Sequence, residues 1–435
     1  MKKHIFAGLC VVTAILLGSC ALLDYLPTAR VLKPTEALDS YLQVVPDEAS
    51  YSKGYEPVQS SYSYDALPLE GEKSLYERLC ESCYDISSEK DADTDRYPMP
   101  QVKLDGYPLS EAEVRTVVKA LTDDHPEIFW LTGTMGYYSD YETTIVQLYA
   151  SYSPEEVDQR VNAVRAAAND FYQTVPDGLS EYEREKLVHD YLLDHLEYDR
   201  NVDTIDFDNN DPDIYTVYGA LVNGLTVCEG YARSFQMLMN GLGIDCVGVM
   251  GESADQMHIW NSVKLGDNWY NVDATWNDRE EPYARYLYFN VTDDELYSDH
   301  TLSPMFDELS DSEINGEVGK YSASVMNLFV PECHDRQMGY YYRESPHLAD
   351  YEGADVKVGL LTSAQKQEDY FVFYIEESLD YHEAVSQLFT EYPQYFFGYL
   401  NAVNNTLPDY SIDSSNASYY THEKSRIVAV ELHYY

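Results

Sequence analysis

Apolar and polar positions along this chain follow a helical period in some stretches and a two-residue alternation in others, with turn residues at the changeovers. Residues 71–84 read as a helix. A second helix is predicted from Ser110, where Glu113 completes a capping box and Val114, Val117, Val118 and Leu121 return to one face. The runs 128–131 and 144–149 read as strands. Ser153-Pro154 opens a third helix, with serine at the cap and proline in the first position, reaching about residue 174. After the turn Pro176-Asp177-Gly178, Ser180 and Glu183 form another capping box. The helix behind it reaches about residue 197, with Leu187, Val188, Tyr191, Leu192, His195 and Leu196 as its apolar stripe.

A further helix is predicted just after Cys228. Ala232, Phe235, Leu238, Met239 and Leu242 make its buried face, and Gly241 and Gly243 end it. Next comes a hairpin. Residues 258–265 form one strand, Gly266-Asp267 the two-residue turn, and 268–275 the return strand. This register sets Leu265 opposite Asn268 and Trp260 opposite Asp273, so His258 and Asp273 are diagonal neighbours on one face. A slip of one residue would put them on opposite faces. Polar residues run from Asp299 to about Gly319. Beyond them a strand (370–375), a helix (382–401) and a terminal strand (426–433) are predicted. No internal repeat of fixed period is visible. The expected architecture is α+β. It divides into a leader (1–19), a tether (20–60), an N-terminal domain (61–152), a central domain (153–305) and a C-terminal domain (306–435).

The first residues change the picture of location. Lys2 and Lys3 precede an apolar run too short to span a bilayer, and Leu17-Gly18-Ser19-Cys20 sets small residues before a cysteine. The pattern resembles a bacterial lipobox, which implies cleavage before Cys20, acylation of its sulfur and attachment to the extracytoplasmic face of the cell membrane. The formal charge is −48, and loss of Lys2 and Lys3 with the leader would take it to −50. Such a surface excludes nucleic acid as a partner and repels anionic lipid, so the acyl chains must supply the membrane attachment. The 43 tyrosines suit half-buried packing or stacking on sugars.

Cys80, Cys83, Cys228, Cys246 and Cys333 remain besides Cys10 and Cys20, which is no disulfide scaffold. Cys80 and Cys83, one helical turn apart with no second pair for zinc, read as a local disulfide or two half-buried thiols. Cys246 sits in an apolar, strand-like context and reads as structural. Asp206, Asp208 and Asn210 alternate as in a calcium loop. However, Asp211 stands where such a loop needs glycine and Val217 where it needs glutamate, so 203–213 reads as a solvated loop. Cys228 is different. It precedes a helix whose positive end favours a thiolate, and Gly224 and Gly230 let backbone approach the sulfur.

The segments Cys228-Glu229-Gly230-Tyr231-Ala232, His258-Ile259-Trp260-Asn261 and 269–276 (Trp-Tyr-Asn-Val-Asp-Ala-Thr-Trp) resemble the motifs of the transglutaminase-like superfamily, a papain-like group. The likeness extends over about 185–280. It implies a cysteine helix packed on an antiparallel sheet, with Cys228 as nucleophile, His258 as base and then acid, and Asp273 orienting the imidazole. It also implies an oxyanion site at the Cys228 N–H, with a second donor from the preceding segment, for which Tyr218 is the candidate. Trp260 and Trp276 are expected to pack beside the site, and His189 and His195 to be structural. No metal or cofactor is called for, and no oligomeric state is assigned. The expected activity is hydrolysis of a peptide, protein or cell-wall peptide amide bond. Transamidation, a non-catalytic module binding glycan or protein, and a structural role in surface assemblies are the alternatives.

Overall fold

The computed structural model describes residues 28–31, 60–202, 211–305, 326–407, 410–414 and 418–435. The leader, Cys20 and most of both the tether and the acidic loop lie outside the described residues. Among the described residues, no helix is long and apolar enough to cross a membrane.

The N-terminal part holds β1 (Thr28–Val31), α1 (Tyr62–Ala66), α2 (Glu70–Ser82), β2 (Tyr97–Pro98), β3 (Val102–Asp105), α3 (Glu111–Asp124), β4 (Leu131–Ser139) and β5 (Thr143–Ala150). Its sheet runs β1-β4-β5-β2, with β3 also on β5. Two expectations are corrected here. Thr28–Val31, inside the expected tether, pairs in parallel with β4. Residues 128–130 are a turn and not strand: the Ile128 N–H bonds back to the His125 carbonyl at 3.0 Å, and Ile128 and Trp130 bury their side chains from there. The apolar run meets the core's demand without extended backbone, as tertiary context overrides β propensity.

The central part follows as α4 (Pro154–Thr174), α5 (Glu181–His195), β6 (Glu197–Tyr198), β7 (Leu225–Thr226), α6 (Cys228–Gly241), β8 (Cys246–Ser253), β9 (Gln256–Leu265), β10 (Asn268–Val272), α7 (Ala274–Asn277), β11 (Phe289–Val291), α8 (Asp293–Leu296) and β12 (His300–Leu302). The capping boxes at Ser110 and Ser180 form as read, and Ser153, read as a cap ahead of Pro154, also forms a box with Glu156. The antiparallel sheet has the order β11-β10-β9-β8-β12. Phe235, Leu238 and Met239 of α6 pack with Val263, Leu265, Tyr270 and Val272 of that sheet. Each such side chain removed from water contributes about 1.5–3 kcal/mol.

The C-terminal part contains α9 (Tyr340–Glu344), β13 (His347–Leu348), α10 (Ala354–Lys366), β14 (Tyr370–Ile375), α11 (Tyr381–Phe389), α12 (Tyr395–Asn404), β15 (Tyr419–His422) and β16 (Ile427–Glu431), with sheet order β13-β14-β16-β15. The single helix expected over 382–401 is two. Pro393 lacks the N–H a continuous helix needs, and Gln394 adopts a positive φ of 57° before α12 restarts. A separate apolar cluster joins Val247, Val249 and Trp260 of the central sheet to Tyr341, Tyr374 and Ile427.

Candidate active site

The hairpin forms in the register read from the sequence. Asn268 pairs with Leu265, and the pairing continues to Val272 with Asn261. One boundary is corrected: the return strand ends at Val272, not Thr275. Asp273 instead caps α7, its Oδ1 accepting the Trp276 N–H at 3.0 Å. This cap fixes the carboxylate, because one oxygen is committed to the backbone and the other is turned toward the rings. That second oxygen, Oδ2, lies 2.6 Å from His258 Nε2. A carboxylate only accepts, so Nε2 carries the proton and Nδ1 is left for the thiol. The Cys228 thiol lies close enough to the imidazole to favour its charged form.

Cys228 is the first residue of α6, after Val227 in extended conformation. The N–H groups of a first helical turn have no acceptor within the helix, so they and the dipole face the sulfur and any oxyanion formed beside it. Two glycines permit this placement. Gly224 has φ +71°, and a Cβ on Gly230 would lie 1.8 Å from Thr226 Oγ1. Cys228 is half-buried, whereas His258 and Asp273 are buried.

Burial alone would disfavour the imidazolium of His258. Asp273 and Cys228 outweigh it and raise the ring to about 10. Burial likewise opposes ionisation of Asp273, but the two histidines beside it hold the carboxyl well below the usual range. The charge state this favours is an imidazolium beside a carboxylate.

The second of those histidines is His300, which the sequence reading passed over. Its Nε2 lies 3.0 Å from the same Asp273 Oδ2, and its Nδ1 lies 2.6 Å from Asp299 Oδ1. The Tyr288 hydroxyl donates to Asp299 Oδ2 at 2.6 Å. Trp260, Trp276 and Tyr288 surround the His300 ring with centroids 5.1–5.4 Å away. Asp273 is therefore held by three donors, two of them rings. His300 enters through the pairing of β12 with β8, His300 opposite Ser253. Behind metal ligands, partners that orient the orienting group are worth about 10–100-fold in activity, and the low end of that scale is taken for His300. His300→Ala is expected to lower kcat about tenfold with KM unchanged, and His300→Gln, which keeps an N–H, to recover part of it. Equal kcat in wild type and His300→Ala would remove this role.

His189 braces the same turn from α5. Its Nε2 is 3.1 Å from Asn277 Nδ2, its Nδ1 3.2 Å from Asp190, and burial keeps it neutral. His195 is exposed, bonded to the Tyr191 carbonyl. Tyr218 is placed with its ring on Phe129 and under the Arg160 guanidinium, centroid distances 6.2 and 4.4 Å. The tyrosine whose ionisation is opposed by the charges of Cys228 and Asp273, after burial, is Tyr198 at the end of β6. It lies close to the thiol and partly exposed. A cleft of about 100 Å³ runs along the seam of α3 and α6, bordered by Lys119, His125, Glu229, Arg233 and Met250; Glu229 is the residue that follows the nucleophile in the chain.

The ligand atoms of His258, Asp273 and His300 lie within 4.8 Å of one another, a set chemically able to hold a transition metal. Both ring-to-carboxylate contacts have N–H···O lengths, so metal binding there would displace the protons that orient the base.

A sequence model of the transglutaminase-like superfamily matches residues 166–274. This span ends one residue past Asp273 and contains the nucleophile, the base and the carboxylate. The central segment belongs to the transglutaminase-like superfamily. Kyphoscoliosis peptidase of Mus musculus is 28% identical over 109 residues, which cover 22% of this chain and 16% of that protein. The chain thus spans under a fifth of that relative's length. The crystal structure of a TGase aligns at 14% identity and a TM-score of 0.25, covering 47% of this chain and 58% of that one. A solved protein of Cytophaga hutchinsonii aligns at 11% identity and a TM-score of 0.21, covering 44% and 70%. The assignment rests on the family match. The superfamily is consistent with cysteine peptidase or transamidase chemistry.

Proposed function

We propose that the protein is a cysteine amidohydrolase that cleaves a peptide or isopeptide amide through an acyl-enzyme on Cys228, held outside the cytoplasm by lipid on Cys20. The observation that carries the chemistry is the His258 ring, at 2.6 Å from Asp273 on one side and close to the Cys228 thiol on the other. The thiolate attacks the carbonyl carbon. The Cys228 N–H at the start of α6 receives the developing oxyanion, with Tyr198 or Tyr218 as the candidate for a second donor. His258 gives its proton to the leaving amine, then takes one from the water that releases the acid. The half-buried thiol leaves room for that water, which favours hydrolysis over transfer to an amine. The position of Cys20 behind small residues and an apolar run supports the lipid anchor.

The test is incubation of the purified chain with cell-wall peptides and with glutamine-bearing proteins in ¹⁸O water, with and without a primary amine and a chelator. The expected result is one ¹⁸O in the new acid, with turnover undiminished by the chelator. Amine incorporation in place of ¹⁸O would make the protein a transamidase. Binding without any product would make it a binding module.

A further inference from the structure

A second cysteine, histidine and carboxylate meet where the C-terminal ends of α2 and α3 come together. Cys80 Sγ lies 3.5 Å from His125 Nε2, and His125 Nδ1 lies 2.9 Å from Glu127 Oε1. Because the carboxylate can only accept, Nδ1 carries a proton and Nε2 faces the sulfur as its base. His125 is buried, and it is the C-cap of α3, where the dipole favours a cation. Burial opposes that charge, but the contacts with Cys80 and Glu127 prevail and raise the ring to about 10.

Cys83 lies one turn further along, still in helical conformation, with its thiol 0% exposed. Residues three apart in a helix have Cα atoms about 5 Å apart from helix rise and radius, inside the span of about 4.4–6.8 Å that a disulfide bridges. The two cysteines are thus unlike each other. One is half-buried and paired with a base, and the other is sealed in the core beside it.

The position within the helix selects the chemistry. Cys80 stands in the last turn of α2, where the unpaired backbone groups are carbonyls. The end of α2 thus offers this sulfur no free helical N–H for an oxyanion, unlike the start of α6 at Cys228. Attack on a disulfide needs no such donor. Among the described residues, these side chains do not bring three ligand atoms together for a metal.

We propose that Cys80 and Cys83 form a thiol–disulfide exchange site, with Cys80 as the attacking sulfur, His125 as its base and Cys83 as the resolving thiol. His125 takes the Cys80 proton, and the thiolate attacks one sulfur of a substrate disulfide RS–SR. A Cys80–SR bond forms, and RS⁻ leaves and collects the proton from His125. Cys83 then attacks Cys80, the second RS⁻ leaves, and the Cys83 proton goes to it. The dithiol is oxidised to the Cys80–Cys83 disulfide and one substrate disulfide is reduced to two RSH. This site is independent of Cys228.

The test uses the reduced full chain in the Cys228→Ala background, so that the other nucleophile is silent, with oxidised glutathione as the disulfide at neutral pH and mass spectrometry as the readout. The expected product is a Cys80–Cys83 disulfide with two glutathione thiols released per chain. Cys83→Ser should stop at one glutathione on Cys80. His125→Gln removes the base that takes the Cys80 proton and should slow the reaction about tenfold. Glu127→Gln should slow it in the same sense and serves if circular dichroism shows His125→Gln to be unfolded. The proposal is overturned if Cys246 or Cys333 reacts before Cys80. It is also overturned if neither His125→Gln nor Glu127→Gln changes the rate, or if Cys83→Ser accumulates no adduct.

Discussion

Cys228→Ala is expected to abolish amide turnover, by about 10⁵–10⁶-fold in kcat, the scale seen when the nucleophile of a triad is removed. The loss should come without loss of fold. Cys228 is only half-buried, and its sulfur touches a small apolar group around Ala232, Met250 and Ile259. Its thermal midpoint should therefore move by no more than a few degrees. Cys246→Ala is the matched control. That thiol is 0% exposed in the middle of the central core, so its removal should cost about 1–2 kcal/mol of stability while leaving the rate nearly intact. Steady-state kinetics and thermal unfolding on both variants separate the two cysteines. Residual turnover in Cys228→Ala at wild-type level would end the acyl-enzyme reading.

The second large effect is expected from Asp273→Asn, a fall of about 10³–10⁴-fold in kcat. The variant keeps the shape but replaces two acceptor oxygens with one, and its amide N–H can face His258 Nε2 and press the ring into the wrong tautomer. The pH profile carries the more specific signature. The active form needs thiolate and imidazolium together, so the wild-type rate should rise as the thiol ionises and fall as His258 loses its proton near pH 10. Asp273 is first among the groups that raise His258 against its burial. In Asp273→Asn the alkaline limb should move down, toward or below the ordinary imidazole range near 6.5. Stability has the same sign. A histidine whose folded pKa exceeds its unfolded value contributes fully below about pH 6.5 and loses that contribution as pH rises toward 10. The carboxylate contribution of Asp273 is present above about pH 4 and is lost in acid. An alkaline limb that stays in place would take Asp273 out of the mechanism.

The same histidine and carboxylate show what could be read without coordinates. The two-residue turn at Gly266-Asp267 admits essentially one pairing of its flanking strands, and a side-chain period of two then puts His258 and Asp273 on one face. The helix starts were legible for a similar reason: a serine with glutamate three residues on satisfies its own local N–H groups whatever the rest of the chain does. His300 was not legible. It sits in a polar stretch, and its only route to Asp273 is a strand pairing with β8 from 47 residues away. Cys80 and His125 lie on separate helices whose ends meet only through packing. Tyr198 lies on a two-residue strand whose partner, β7, ends two residues before the nucleophile.

The chain's own local pattern determined where α6 begins, which strand returns beside it and which residues face one another across the turn, because each of these depends on atoms a few residues apart. Only the tertiary structure decided what encloses that pair. The second ring on Asp273, the cleft between α3 and α6, and the dithiol beside His125 each join segments far apart in sequence. Such contacts depend on burial of apolar surface, which has no direction along the chain and so leaves no spacing to read.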